Sequence, residues 1–121
     1  MITIKARLPI IALGLALGAA PWAQAADAKD NWTEHCARCH GDTGTANTKM
    51  GRKLKVKNLT LPRIQSRLTD DRIRESIMQG SQTDDGEELM PSFRDKLTEA
   101  EREALVGYIR SLVPKGVAKG E

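Results

Sequence analysis

Both cysteines and both histidines of this 121-residue chain fall in one nine-residue stretch, "EHCARCHGD", from Glu34 to Asp42. Cys36 and Cys39 are three positions apart, His40 directly follows the second, and His35 directly precedes the first. A Cys-x-x-Cys pair supports three chemistries: a redox dithiol, half of a zinc site, or the covalent handle for a haem. A histidine directly behind the second cysteine points to the third. Cys36 and Cys39 on one helical turn reach the two vinyl groups of a haem and bond them as thioethers. His40 then falls under the iron and offers an imidazole nitrogen as the fifth ligand.

The two alternatives have weaker support. A thioredoxin-like dithiol belongs in an alternating strand and helix pattern, and the chain shows none. Structural zinc wants four ligands. His35, Cys36, Cys39 and His40 are the only Cys or His candidates, and so short a segment cannot easily surround a tetrahedral ion. His35 reads as a solvated helix residue that points away from the ligand face.

A sixth iron ligand has three methionine candidates besides Met1: Met50, Met78 and Met90. Methionine is more often core filler than ligand, and Met78, beside Ile77, reads as packing. Met50, in a polar loop, is the rival. Met90 is the expected ligand, because Pro91 holds its loop and enough chain separates it from His40 to wrap the ring. A soft thioether favours reduced iron and raises the potential.

Three helices must position these groups. The first is expected over Asp27–Cys39, with Trp32 and Cys36 four apart on one face and Gly41 as its breaker. The stretch 41–61 has no sustained period and reads as loop. It carries the basic run Lys49, Arg52, Lys53, Lys55 and Lys57, with Leu54, Val56 and Leu59 turned inward. The second helix is expected over Thr69–Gln79: Thr69 caps it, Asp70 and Asp71 suit its positive end, Ile73 and Ile77 form its buried stripe, and Gly80 stops it. A short helical turn is expected within Arg63–Leu68, and an acidic loop over Ser81–Leu89. The third helix opens at Thr98, where Thr98 and Glu101 make a capping box. It buries Leu105, Tyr108, Ile109 and Leu112 and ends at Pro114. No strand, repeat or second domain is expected. Lys115 to Glu121 reads as a polar tail.

The N-terminus has a basic head (Lys5, Arg7), an apolar run from Leu8 to Ala20, and the small-x-small triplet Ala23-Gln24-Ala25. That order predicts a secretory signal peptide over 1–25 and a single mature domain over 26–121. The apolar run is short of the roughly 20 residues that span a bilayer, so the mature protein is not expected to be membrane-embedded. The chain holds 19 Lys and Arg against 16 Asp and Glu. Lys5 and Arg7 leave with the leader, so 17 basic side chains face 16 acidic ones. No concentrated basic surface with stacking aromatics suggests nucleic-acid binding. Trp32, Phe93 and Tyr108 are the only aromatics of the mature part, so an apolar cofactor would add core that a small domain lacks.

The segments "CARCHG" (36–41), "NLT" (58–60), "LTDDRIRESIMQG" (68–80), "MPSF" (90–93) and "LTEAEREALVGYIRSL" (97–112) together resemble the small soluble class I c-type cytochromes of the bacterial periplasm. The resemblance covers nearly all of 26–121. It implies an all-α cytochrome c fold of three main helices wrapped around one covalent haem c. It also implies a near-perpendicular crossing of the first and last helices, with Trp32 packed against the last helix on Tyr108 and Leu105. Some members carry a Pro after the motif whose carbonyl accepts the proton of the ligating histidine. This chain has no Pro between His40 and Leu61, so a carbonyl within "LKVKNLT" is the expected substitute.

The function expected is electron transfer in the periplasm by a monomer that meets redox partner proteins and catalyses no reaction of its own. Cys36, Cys39, His40 and Met90 are its cofactor-binding residues, with His40 and Met90 on the metal. The competing readings are an open-site haem acting as gas sensor or catalyst, and a haem subunit of a larger respiratory complex. The basic run from Lys49 to Lys57 reads either as a steering surface for an acidic partner or as a plain solvated loop.

Overall fold

The computed structural model describes residues 23–116, with side chains from residue 28 onward. The expected leader lies outside the described residues apart from its last three, and so does the end of the expected tail. The first helix, α1, runs Ala23–His35 and is followed by a one-turn helix, α2, Ala37–His40. The helix expected over 27–39 therefore starts earlier and is interrupted at Cys36. There φ opens to −116° while ψ stays near helical at −37°. The path continues through the break, because Cys36 N–H donates to Trp32 O and His40 N–H to Cys36 O, each at 2.9 Å. Gly41, at φ +80°, closes α2 in a conformation that glycine adopts without the Cβ penalty.

The stretch expected to be loop contains a five-residue helix, α3, Lys49–Lys53. Five residues are too few to show a 3.6 period, but the cap was there to be seen: the Thr48 hydroxyl accepts from Gly51 N–H at 2.8 Å. A one-turn helix, α4, Pro62–Gln65, has Pro at its start, where the missing N–H costs nothing. The next, α5, Asp70–Gln79, matches expectation, with Thr69 accepting from Arg72 N–H, Asp70 and Asp71 in the first turn, and Ile73 and Ile77 buried.

Two short strands correct the expectation of none. Ser81–Gln82 (β1) pairs antiparallel with Glu88–Met90 (β2), Ser81 opposite Met90, across a bulge. Such short, mostly exposed strands carry no alternation to read. The last helix, α6, Glu99–Ser111, has both bonds of the expected capping box. It ends at Ser111 with Leu112 as cap, slightly before the limit set by Pro114.

α1 and α6 make the most extensive helix pairing. Trp32 and Leu105 are fully buried between them, and the Trp32 and Tyr108 rings lie 5.5 Å apart, tilted by 45°. Ile73, Ile77, Phe93, Leu97, Val106 and Ile109 complete this core. Leu59 is buried as expected, while Leu54 and Val56 are half-buried. One buried polar side chain ties the layers together: Gln65 donates to Leu59 O and Ile109 O at 2.8 and 2.9 Å. Arg110 backs it with bonds to Gln65 Oε1 and O and to Leu68 O. Among the described residues no helix is long and apolar enough to cross a membrane.

Candidate functional site

Two adjoining cavities of about 230 and 320 Å³ open beside α2. Cys36, His40, Lys57, Ser81 and Met90 line both of them. Cys39 lines the first, with His35, Leu54, Val56, Pro91 and Phe93. The second reaches the core at Trp32, Leu59, Leu68, Ile73, Ile77 and Leu105. Cys36, Cys39, His40 and Met90 thus meet at one apolar cleft. Met50 and Met78 line neither cavity.

Local bonds hold the motif in place. The Trp32 indole N–H donates to Gly41 O at 3.0 Å, bracing the residue after His40. The His40 carbonyl accepts from Ala46 N–H at 2.7 Å, and the Cys39 carbonyl from the Thr48 hydroxyl at 3.0 Å. These are carbonyls at the end of α2 that have no partner within the helix. Gly51 packs against the same turn: a Cβ there would lie 2.5 Å from Cys39 O. The loop after the motif therefore clamps it through Ala46, Thr48 and Gly51, residues that carry no chemistry and so gave no signal in the sequence beyond the Thr48 cap.

The cysteines are unpaired, Cys36 buried and Cys39 half-buried. Burial pushes the Cys36 thiol up to about 12, and Cys39 adds to the shift. A redox dithiol works through a thiolate favoured by a lowered pKa, so this environment runs against that alternative. No three His, Cys, Asp or Glu side chains converge as a metal cluster among the described residues, which leaves the zinc alternative without a ligand set there. Burial holds His40 below the ordinary imidazole value. Its Nδ1 is buried with no hydrogen-bond partner, so the carbonyl expected from "LKVKNLT" is not in place.

His35 departs from expectation. It is half-buried, lines the first cavity, and packs its ring 5.6 Å from that of Phe93. The turn of α1 just before the Cys36 break carries it toward the cleft. Of the basic run, Lys55 and Lys57 stand at the cleft. Both are exposed, and neither is in an ion pair among the described residues.

The family model of cytochrome c oxidase, cbb3-type, subunit III, matches residues 23–109. Among solved structures, the KustC0563 c-type cytochrome is 32% identical and superposes with a TM-score of 0.63, over 73% of this chain and 99% of that one. A tyrosine-to-phenylalanine mutant of Kustc0563, also 32% identical, gives 0.60 over 71% and 98%. No curated protein matches the chain.

Proposed function

This chain belongs to the c-type cytochrome family, whose general work is electron transfer through covalently bound haem, and on that premise we propose that it carries one electron on a single haem c held by Cys36, Cys39, His40 and Met90. The observation that carries this reading is the cleft shared by Cys36, His40 and Met90, with Cys39 beside them.

The residues present fit the group. Two unpaired thiols one turn apart, a half-buried imidazole whose pKa burial lowers and an apolar cavity reaching the core suit a covalently held, largely apolar ring. Bound there, a haem supplies an iron that gains and loses one electron. Cys36 and Cys39 would hold the ring covalently through their two sulfurs, at the start of α2 and within it. His40, at the end of α2, and Met90, at the end of β2, would hold the iron through an imidazole nitrogen and a thioether sulfur. Held by both side chains, the iron would have no open site and would need little rearrangement between oxidation states, which suits transfer over bond-making. Ile73, Ile77, Leu59 and Trp32 exclude water and hold the dielectric low, which with the axial pair tunes the potential.

The setting proposed is the periplasm, reached through a signal peptide over 1–25, with 26–121 as a class I monohaem domain. The matching family, a subunit of cbb3-type cytochrome c oxidase, also supports a second reading, a haem subunit of a larger respiratory complex. Size-exclusion of natively expressed protein separates the two: a monomer elutes alone, a subunit with its complex.

The test of the axial pair is the optical spectrum of the matured protein, oxidised and reduced. Sharp reduced bands of low-spin haem c are expected, with the weak long-wavelength band of a sulfur–ferric iron bond. Met90→Ala should abolish that band, while Met50→Ala should leave it. A high-spin native spectrum would overturn the reading in favour of an open site for gas binding or catalysis.

A further inference from the structure

Met90 sits on a segment with little burial of its own: in β2 Glu88 is exposed, and Leu89 and Met90 are half-buried. The residues around it are nevertheless fastened to the C-terminal end of α5 at three points. Phe93 N–H donates to Ile77 O at 2.9 Å. The Ser92 hydroxyl donates to Met78 O at 2.6 Å. Both acceptors are among the last carbonyls of α5, which have no partner within the helix. The third point is Gly80, at φ +70°, where the passing chain leaves no room for a side chain. A Cβ there would strike the Met90 carbonyl oxygen and lie 2.7 Å from Pro91 C and 2.9 Å from Ser92 N. Glycine is needed twice over, for its backbone angle and for this close approach.

We propose that Gly80 and Ser92 form a latch that positions the Met90 thioether in the cleft. It closes the Met90 segment onto the end of α5, and its release frees the sulfur from the iron. The proposal rests on Met90 being an axial ligand. Gly80 and Ser92 are positioning residues, since their own contacts are with backbone: Gly80 with Met90 to Ser92, and the Ser92 hydroxyl with Met78 O and, at 3.4 Å, Arg94 N–H.

A latch differs from ordinary packing in what it controls. Loosening it raises the fraction of molecules in which the sulfur is off the iron, and an added ligand then binds more tightly in proportion. Losing one hydrogen bond shifts such an equilibrium by a factor of about five. The experiment is a titration of the matured ferric protein with imidazole, followed through loss of the sulfur–iron band. Ser92→Ala should bind imidazole about fivefold more tightly than the native protein, and Ser92→Thr, which keeps the hydroxyl, should restore the native affinity. Gly80→Ala should show the larger change; if it does not fold, the Ser92 pair decides the matter. Native affinity in Ser92→Ala, with a band that Met90→Ala abolishes, would overturn the latch and leave the axial reading standing. A native protein without the band, unchanged by Met90→Ala, would overturn both.

Discussion

Trp32 is held at both ends of its indole. The ring is buried against α6, its N–H is bonded to Gly41 O, and its ring centroid lies 5.6 Å from that of His40. Trp32→Phe keeps most of the apolar contact but removes the indole donor, leaving Gly41 O to the Gly44 N–H at 3.2 Å. It should cost about 0.5–1.5 kcal/mol, measured by denaturant unfolding of the haem-loaded protein. Trp32→Ala removes the ring as well and should cost about 3–5 kcal/mol. At this scale spacing alone singles out Cys36, Cys39 and His40 as candidates, and its place before Pro91 singles out Met90; the structure brings the four to one cleft. His35 is different. Its adjacency to Cys36 suggests solvent, but it lies three positions after Trp32 on α1, where helix geometry puts both on one face, and its ring packs on Phe93 at the cleft. The missing Nδ1 partner of His40 was hidden, since an acceptor depends on the course of a loop and not on the identity of any side chain.

Elements do their work here through caps and clamps. Glu101 accepts from Thr98 N–H at 2.7 Å and Thr98 from Glu101 N–H at 3.2 Å. Thr98→Ala should lower stability by about 1 kcal/mol, checked by the unfolding midpoint. The bond from the Thr98 backbone, with smaller contributions from the side chains around it, holds the Glu101 carboxyl below its ordinary 4.5. The unfolded chain therefore takes up that proton first as pH falls. The contribution of Glu101 is complete above its unfolded value and is lost as pH drops through the folded one. Unfolding midpoints of native protein and Glu101→Gln should converge on the acid side of pH 4.5. The α3 clamp gives a sharper outcome. Gly51→Ala drives a methyl against the carbonyls of Ala46 and Cys39, so it should displace the attachment turn. The expected result is a loss of most covalently haem-loaded protein, read by intact mass. α5 and α6 were legible because stripe and cap agree along their length. α3 and the β1–β2 hairpin escaped because they are held by backbone bonds and have no hydrophobic period.

Over the whole molecule, charge is arranged around the cleft. Lys55 and Lys57 stand at its lining, and Lys49, Arg52 and Lys53 are exposed on α3 nearby in sequence. The acidic stretch Asp84–Glu88 lies in the hairpin that leads to Met90. Exposed charges of this kind act on encounter rates and are screened by salt. Oxidation of the reduced protein by ferricyanide, a small anion, should slow severalfold as ionic strength rises from about 10 to 150 mM. Lys55→Ala with Lys57→Ala should flatten that dependence; an unchanged slope would return these lysines to a plain solvated loop. The fold class was legible at this scale, because the order of motifs along the chain carries the cytochrome c topology. The size of the cleft was not, since it depends on how α1, α5 and α6 pack.

The central proposal is a single covalent haem, with His40 and Met90 as the ligands of its iron, that takes one electron from a partner and passes it to another. Its most direct test is a spectroelectrochemical titration of the matured protein. The account predicts one reversible one-electron transition, with low-spin spectra at both ends and no change when carbon monoxide is added to the reduced form. A high-spin reduced spectrum that shifts on carbon monoxide addition would contradict it, and would make this chain an open-site haem protein.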